Sequence, residues 1–441
     1  MNSVLYLLFC FVFMLFNVSG FNARADTLPD LAALEEKIAA LVDPLVTEKL
    51  LPGYYLAIYA EDKLLVERAK GFADEKRQLK PDGHTLYAIA SMTKPLTAIA
   101  MLHLIERSDL TLDSEIRDFL PAFSDPMVAP DGSYDKQLVL ANSPITIRQL
   151  MTHTSGLTYS STVTGIGAIA DAYRDLGILT LEASAESQLG KLGDHIDSLA
   201  ELPLVAQPGT KFTYSVGYDV LARIIEVVSG KTFEVYLTEN VLIPLGMTDT
   251  KFLLAADDLQ RLAQLYAPLI RTIQVPGTPR RYQKSNMVPR GQRNFGEQLG
   301  IIGGGSGLIS SANDYARFLS YLINKGKGFP EILQAEKFEL LLTDQIGKDL
   351  GPDLMVESLG VQTRNMVFSL ALGISLNTGD AQTEMDSYDF LGWAGAFNTQ
   401  FWLDENNRTY GVFMAQHIPS RYRVTEGIED AVDAYMASKS R

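Results

Sequence analysis

The stretch YAIASMTKPLTAIAMLHLIE, Tyr87 to Glu106, is apolar on nearly every side from Leu96 to Ile105, with Thr97 and His103 as the main interruptions. That pattern marks a helix buried on most of its faces rather than a surface helix with one apolar stripe. Ser91 stands where an N-cap belongs. Pro95 is tolerated only in a first turn, whose N–H groups have no helical partners. The pattern therefore predicts a helix that starts at Ser91 or just after it. Lys94 then falls in the first turn, at the positive end of the helix dipole, where a cation costs about 0.3–1 kcal/mol. Local rules of this kind are broken most often at functional sites.

On the N-terminal side, residues 30–49 (DLAALEEKIAALVDPLVTEK) carry Leu31, Leu34, Ile38, Leu41 and Leu45 at helical spacing, and Pro44 is expected to kink that helix or end its first part. PGYYLAIYAEDKLLVERAKGFAD alternates and turns at Glu61-Asp62, which predicts a β-hairpin. On the C-terminal side come MVFSLALGISL, then FNTQFWLDENNRTYGVFMAQ with a turn at Glu405-Asn406-Asn407, then a terminal helix TEGIEDAVDAYMAS. Strands at both ends with helices between them predict an α+β fold. In it an antiparallel sheet is formed by the N- and C-terminal strands and flanked by helices, and a central helical subdomain is inserted. Residues 26–90 and about 300–441 are expected to form the sheet subdomain, and about 91–300 the helical one. Residues 270–298, with Pro276, Pro279 and Pro289, read as a long irregular loop.

The chain has 441 residues, 46% of them hydrophobic, enough for a large core. Its first 25 residues differ in kind. Val4 to Phe16 is almost continuously apolar, and Ala23-Arg24-Ala25 offers small residues at both cleavage-site positions. This predicts a secretory signal peptide cut before Asp26, and a periplasmic or secreted protein with no stable membrane insertion after cleavage; no Lys or Arg precedes the apolar run, and an uncleaved anchor is the alternative. The one cysteine, Cys10, lies in that segment, so disulfides and thiol chemistry play no part. The bulky Phe9 before it argues against a lipid-attachment signal. The formal charge is −15, and −16 once Arg24 is removed with the signal. Such a surface repels nucleic acid and anionic lipid.

Three stretches could carry chemistry. S-x-x-K occurs at Ser91/Lys94 and at Ser133/Lys136, the second inside the polar turn APDGSYDKQ. In a helical first turn, residues three apart share a face, so the Lys94 amine can approach the Ser91 hydroxyl. The dipole and partial burial are expected to lower its pKa and fit it to take the serine proton. An N-cap serine followed by a surface lysine explains the same pair. In PGTKFTYSVGYDVLARIIEVVSGKTF, Tyr214 lies just before an amphipathic helix that Gly230 ends. It suits a general base beside a cation, or an aromatic that packs the helix entry. In LGWAGAFNTQFWLD, Gly392 and Gly395 flank Trp393, as a close backbone approach or a β-bulge requires. An edge-strand N–H there, with that of Ser91, could form a two-donor oxyanion hole. The five histidines form no compact ligand cluster, so neither metal nor cofactor is expected. G-x-S-x-G and G-x-x-x-x-G-K-[ST] are both absent from the chain.

The order of the segments is more specific than any one of them: Ser91-Met92-Thr93-Lys94, LMTHTSGL (150–157), the Tyr214 segment, IPLGMTDT (243–250), GGGSGLISSANDYARF (303–318) and GWAGAFNTQFW (392–402). From about residue 30 to the C-terminus the chain resembles the class C β-lactamase-like serine hydrolases, and within them the family VIII carboxylesterases. The resemblance implies an acyl-enzyme hydrolase acting on a small-molecule ester or amide. It assigns Ser91 as nucleophile, Lys94 as its partner and Tyr214 as the catalytic tyrosine. It makes the backbone N–H groups of Ser91 and Ala396 the oxyanion hole, and Trp393 and Gly395 part of the substrate site. Two departures stand out. The family's β-lactamases carry Tyr-x-Asn where this chain has Tyr214-Ser215-Val216, and Lys-Thr-Gly where it has Trp393-Ala394-Gly395. Both remove polar groups suited to a β-lactam, and favour an esterase. A D-amino-acid peptidase or amidase, with weak β-lactam hydrolysis, is the alternative within enzymes. A non-catalytic binder of cell-wall peptides is the alternative outside them.

Overall fold

The computed structural model describes residues 31–129, 133–134, 137–161, 165, 167–177, 191–269, 282–286, 301–347, 350, 366–376, 388–422 and 424–439. The apolar N-terminal run, its expected cleavage site and Lys136 lie outside the described residues, as does most of 270–298. Of that last segment Tyr282–Lys284 is described, and it is a short strand paired with Tyr266–Pro268 rather than irregular loop. No helix among the described residues is long and apolar enough to cross a membrane.

Seven strands form one antiparallel sheet. They are β1 (Gly53–Ala60), β2 (Lys63–Gly71), β3 (Met366–Phe368), β4 (Gly373–Leu376), β5 (Tyr388–Gly395), β6 (Thr399–Asp404) and β7 (Thr409–Met414), in the order β2-β1-β7-β6-β5-β4-β3. The sheet therefore closes on the two ends of the chain: Tyr55 lies opposite Met414 and Ala60 opposite Thr409. The β1–β2 turn puts Glu61 and Asp62 at φ 48° and 60°, the left-handed pair that matches the twist of a two-residue hairpin. The β6–β7 turn is held by Asp404, whose Oδ1 accepts the N–H groups of Asn406 and Asn407 at 2.7 and 3.2 Å. MVFSLALGISL resolves into two strands, because Ser369 Oγ accepts the N–H groups of Ala371 and Leu372 and turns the chain between them. Gly411 leaves room for an indole: a Cβ there would lie 2.2 Å from the Trp402 ring.

Among the helices that position the rest are α1 (Leu31–Thr47), α2 (Thr93–Ile105), α3 (Gly217–Ser229), α4 (Ala312–Ile323) and α5 (Thr425–Lys439). α1 runs on through Pro44. An interior proline costs about 3 kcal/mol, but Leu34, Ile38, Val42 and Leu45 are all buried and hold the helix to the sheet. Asp43 adds a polar tie, since Arg68 and Lys70 of β2 reach its carboxylate at 2.6 and 2.7 Å. Those bonds, Arg68 foremost, hold the Asp43 carboxyl well below the usual range.

The sheet has a core on each face. Tyr54, Leu56 and Ile58 pack with α1 and α5, while Tyr55 and Ala57, one residue out of step, join the core that contains α2, α3 and α4. This alternation is the period-2 geometry of a strand. Every residue of α2 is buried, as its all-round apolar sequence requires.

Candidate active site

The strand Leu86–Ala88 pairs with Ile309–Ser311 and delivers the chain to the mouth of α2. The Ile89 N–H donates to Leu308 O at 3.1 Å. Ala90 then takes φ 43°, a left-handed conformation in which a Cβ costs on the order of 1–3 kcal/mol. The strained residue directly precedes Ser91. The helix does not start at Ser91: Ala90–Met92 form a tighter 3₁₀ turn and α2 begins at Thr93, with Met92 in the cap position and no side-chain cap. Neighbours secure this entry instead. Thr93 Oγ1 accepts the Leu308 N–H at 3.3 Å, and the Tyr315 hydroxyl donates to Met92 O at 2.9 Å. Ser91 is therefore left half-buried and free of a capping role.

Lys94 is only 1% exposed. Its Nζ donates to Ser91 Oγ at 3.2 Å, to the Tyr159 hydroxyl at 3.0 Å and to Gly305 O at 2.7 Å. An ammonium has three donors, and these acceptors match them one for one. The Tyr214 ring centroid lies 4.8 Å from Nζ. Burial pushes the Lys94 pKa down, but the Tyr159 and Tyr214 oxygens push it up and prevail, so it stands above the ordinary lysine value. The expected lowering is thus corrected: burial acts in the anticipated direction, and Tyr159 and Tyr214 outweigh it. Burial likewise raises the Tyr159 hydroxyl, and the Lys94 charge only partly restores it.

Tyr214 is buried just before α3 and lies in an aromatic cluster. Its ring centroid is 4.6 Å from that of His153, 5.3 Å from that of Tyr159 and 5.6 Å from that of Trp393. His153, in a left-handed turn at φ 56°, accepts the Ser215 N–H on Nδ1 at 3.2 Å. It thereby fixes the segment that carries Tyr214. Burial, with the Lys94 charge, holds the His153 pKa far below its usual value, so the ring is neutral.

Trp393 packs edge-on against Phe368 at 5.2 Å, and its indole Nε1 is buried with no hydrogen-bond partner among the described residues. At Gly395 a Cβ would lie 2.3 Å from Ile89 O. Glycine alone lets the end of β5 press on the turn that carries Ser91, which sets the backbone of Ala396 against that turn. Ser91, Lys94 and Tyr214 come together with Trp393 and Gly395 beside them. The turn of Ser133 is described, but its Lys136 is not.

Tyr159 and Gly305 escape sequence reasoning, as does the part played by His153. A signal was available. From Gln149 to Ala170 the chain has no charged residue although it is rich in Thr, Ser and Gly, and Leu150–Ser160 is buried throughout. A solvated loop of that length carries charge.

A family model described as Beta-lactamase matches residues 38–433. Esterase EstB of Burkholderia gladioli is 31% identical over 391 residues, covering 85% of this chain and 88% of that one. Two solved structures share the fold. EstCE1, a hydrolase with promiscuous acyltransferase activity, is 23% identical with TM-score 0.68, over 91% of this chain and 99% of that one. A mutant of the simvastatin synthase LovD of Aspergillus terreus is 24% identical with TM-score 0.70, over 93% and 98%.

Proposed function

The chain belongs to the beta-lactamase family, and from that membership we propose that it is an exported serine carboxylesterase that turns over neutral esters through an acyl-enzyme on Ser91. The observation that carries this reading is Lys94 Nζ on Ser91 Oγ at 3.2 Å, beside the aromatic wall of Tyr159, Tyr214 and Trp393. Ser91 Oγ attacks the ester carbonyl carbon and passes its proton to the Lys94–tyrosine unit. Lys94 remains an ammonium, so the base is a tyrosine oxygen, Tyr214 by family resemblance. The N–H groups of Ser91 and Ala396 hold the oxyanion. The unit returns the proton to the departing alkoxide and the alcohol leaves. Water then attacks acyl-Ser91 through the same unit, and the carboxylic acid is released.

Ester selectivity rests on the two departures from the β-lactamase pattern. Val216, in the place of the substrate-binding Asn, is wholly buried, and Trp393 replaces the cation that would hold a carboxylate. The similarity to Esterase EstB also supports ester chemistry. A panel of p-nitrophenyl esters, a chromogenic cephalosporin and D-amino-acid anilides tests this. Esters are expected to exceed the other two at least about tenfold in kcat/KM. Preference for the anilides would make the protein an amidase, and binding without turnover would make it a cell-wall peptide binder. Export predicts a mature chain beginning at Asp26. An intact N-terminus found in the membrane fraction by mass spectrometry would refute that.

The proton inventory fixes the pH dependence. Lys94 and Tyr159 both hold their protons above the ordinary range, and a unit whose base is a phenol oxygen is mostly protonated at neutral pH. For a neutral ester, kcat/KM is expected to climb with pH across neutrality, approaching about tenfold per unit. His153 stays neutral and contributes no break near pH 6.5. A plateau reached through such a break would assign the base to an imidazole.

A further inference from the structure

Lys94 is a buried cation whose three hydrogen-bond acceptors are a hydroxyl, a phenol and a peptide carbonyl. None of the three is a carboxylate, and a buried cation without an anionic partner is costly. A carboxylate lies one peptide away. Asp219 is 1% exposed in the first turn of α3, where the helix dipole favours an anion. Its Oδ1 accepts the N–H of Gly305 at 3.2 Å. The carbonyl of the same residue accepts from Lys94 Nζ at 2.7 Å. The backbone of Gly305 thus joins cation to anion, each held by the end of opposite polarity. A Cβ on Gly305 would stand 2.6 Å from Asp219 Oδ2 and 3.2 Å from the Tyr159 hydroxyl, so carboxylate and phenol crowd the same glycine.

We propose that Asp219 is the counter-charge of the active site: a positioning residue that acts through the Gly305 backbone to hold Lys94 as an ammonium. The inference rests on the serine-hydrolase reading above and deepens it. Its charge favours the fully protonated form of the Lys94–tyrosine unit and so sets the pH at which that unit can take the Ser91 proton. The Asp219 charge also pushes the Tyr159 hydroxyl up, after burial and against the pull of Lys94. Among the described residues, the other titratable groups facing this unit are His153 and Tyr159 from the 152–161 segment and Tyr214 and Tyr218 from the start of α3. The 303–308 loop offers only backbone and Ser306. His153 is neutral and Tyr218 is held far above its usual value by burial, so neither supplies a competing charge near neutrality.

The test is the pH profile of kcat/KM on a neutral p-nitrophenyl ester, for wild type and Asp219→Asn. Asparagine keeps the shape and an oxygen for the Gly305 N–H, and removes only the charge. The rising limb is expected to move to lower pH by about one unit, the scale of one charge at this range. Asp219→Glu, which restores the charge, is expected to keep the limb within a few tenths of a unit of wild type. If Asp219→Asn does not accumulate as folded protein, Asp219→Ser reads the same way. A limb that stays in place while activity falls would reduce Asp219 to a structural role and overturn the proposal. The labelling of wild-type Ser91 by a fluorophosphonate separates the two levels. Labelling with an unmoved limb defeats only the Asp219 inference, whereas an unlabelled wild-type Ser91 defeats the hydrolase reading itself.

Discussion

Ser91→Ala is expected to lower kcat for a p-nitrophenyl ester by on the order of 10⁴-fold or more, the scale on which removal of a nucleophile is felt. The fold is expected to survive. Ser91 caps no helix, it is half-buried, and α2 is entered through bonds made by Thr93 and Tyr315. The melting temperature should therefore move by only a few degrees, as a surface-scale change of about 0.5 kcal/mol implies. Ser133→Ala, in the other Ser–Lys pair, should leave turnover unchanged. Undiminished turnover in Ser91→Ala would mean that the nucleophile has been misassigned.

Lys94 and Tyr214 carry the second large effect. Lys94→Met keeps the length of the side chain and removes the ammonium, leaving the Tyr159 hydroxyl and Gly305 O without their donor. Tyr214→Phe keeps the ring contacts with His153 and Trp393 and removes the hydroxyl. Each is expected to cost about 10²–10⁴-fold in kcat, the range of general acid–base catalysis. The double variant should be little worse than the poorer single one, because groups that act as one unit are non-additive. Pre-steady-state rates on an activated ester give the cycle directly. Additive losses would separate the two residues into independent roles, and a near-normal Tyr214→Phe would pass the base role to Tyr159.

What the sequence could reveal follows from how far each contact reaches along the chain. Ser91 and Lys94 are three residues apart, and a helical first turn is enough to bring them together. The two hairpins announce themselves through local alternation and turn residues. Tyr159 and Gly305 stand 65 and 211 residues from Lys94, and no local period marks either. The direction of the Lys94 shift was illegible for the same reason. The helix dipole is a local effect, whereas the phenol oxygens arrive only with the tertiary fold. Pro44 teaches the complementary lesson: its local penalty is real, and four buried side chains of α1 override it.

The central claim is that Ser91 is the atom that becomes acylated, and site-mapped covalent labelling tests it most directly. The exported protein is treated with a fluorophosphonate at pH 8, digested, and its peptides sequenced by mass spectrometry. The predicted result is one adduct per chain, on Ser91, lost in Ser91→Ala and slowed in Lys94→Met. An adduct on Ser133, on Ser306 or on any serine other than Ser91 would contradict the account.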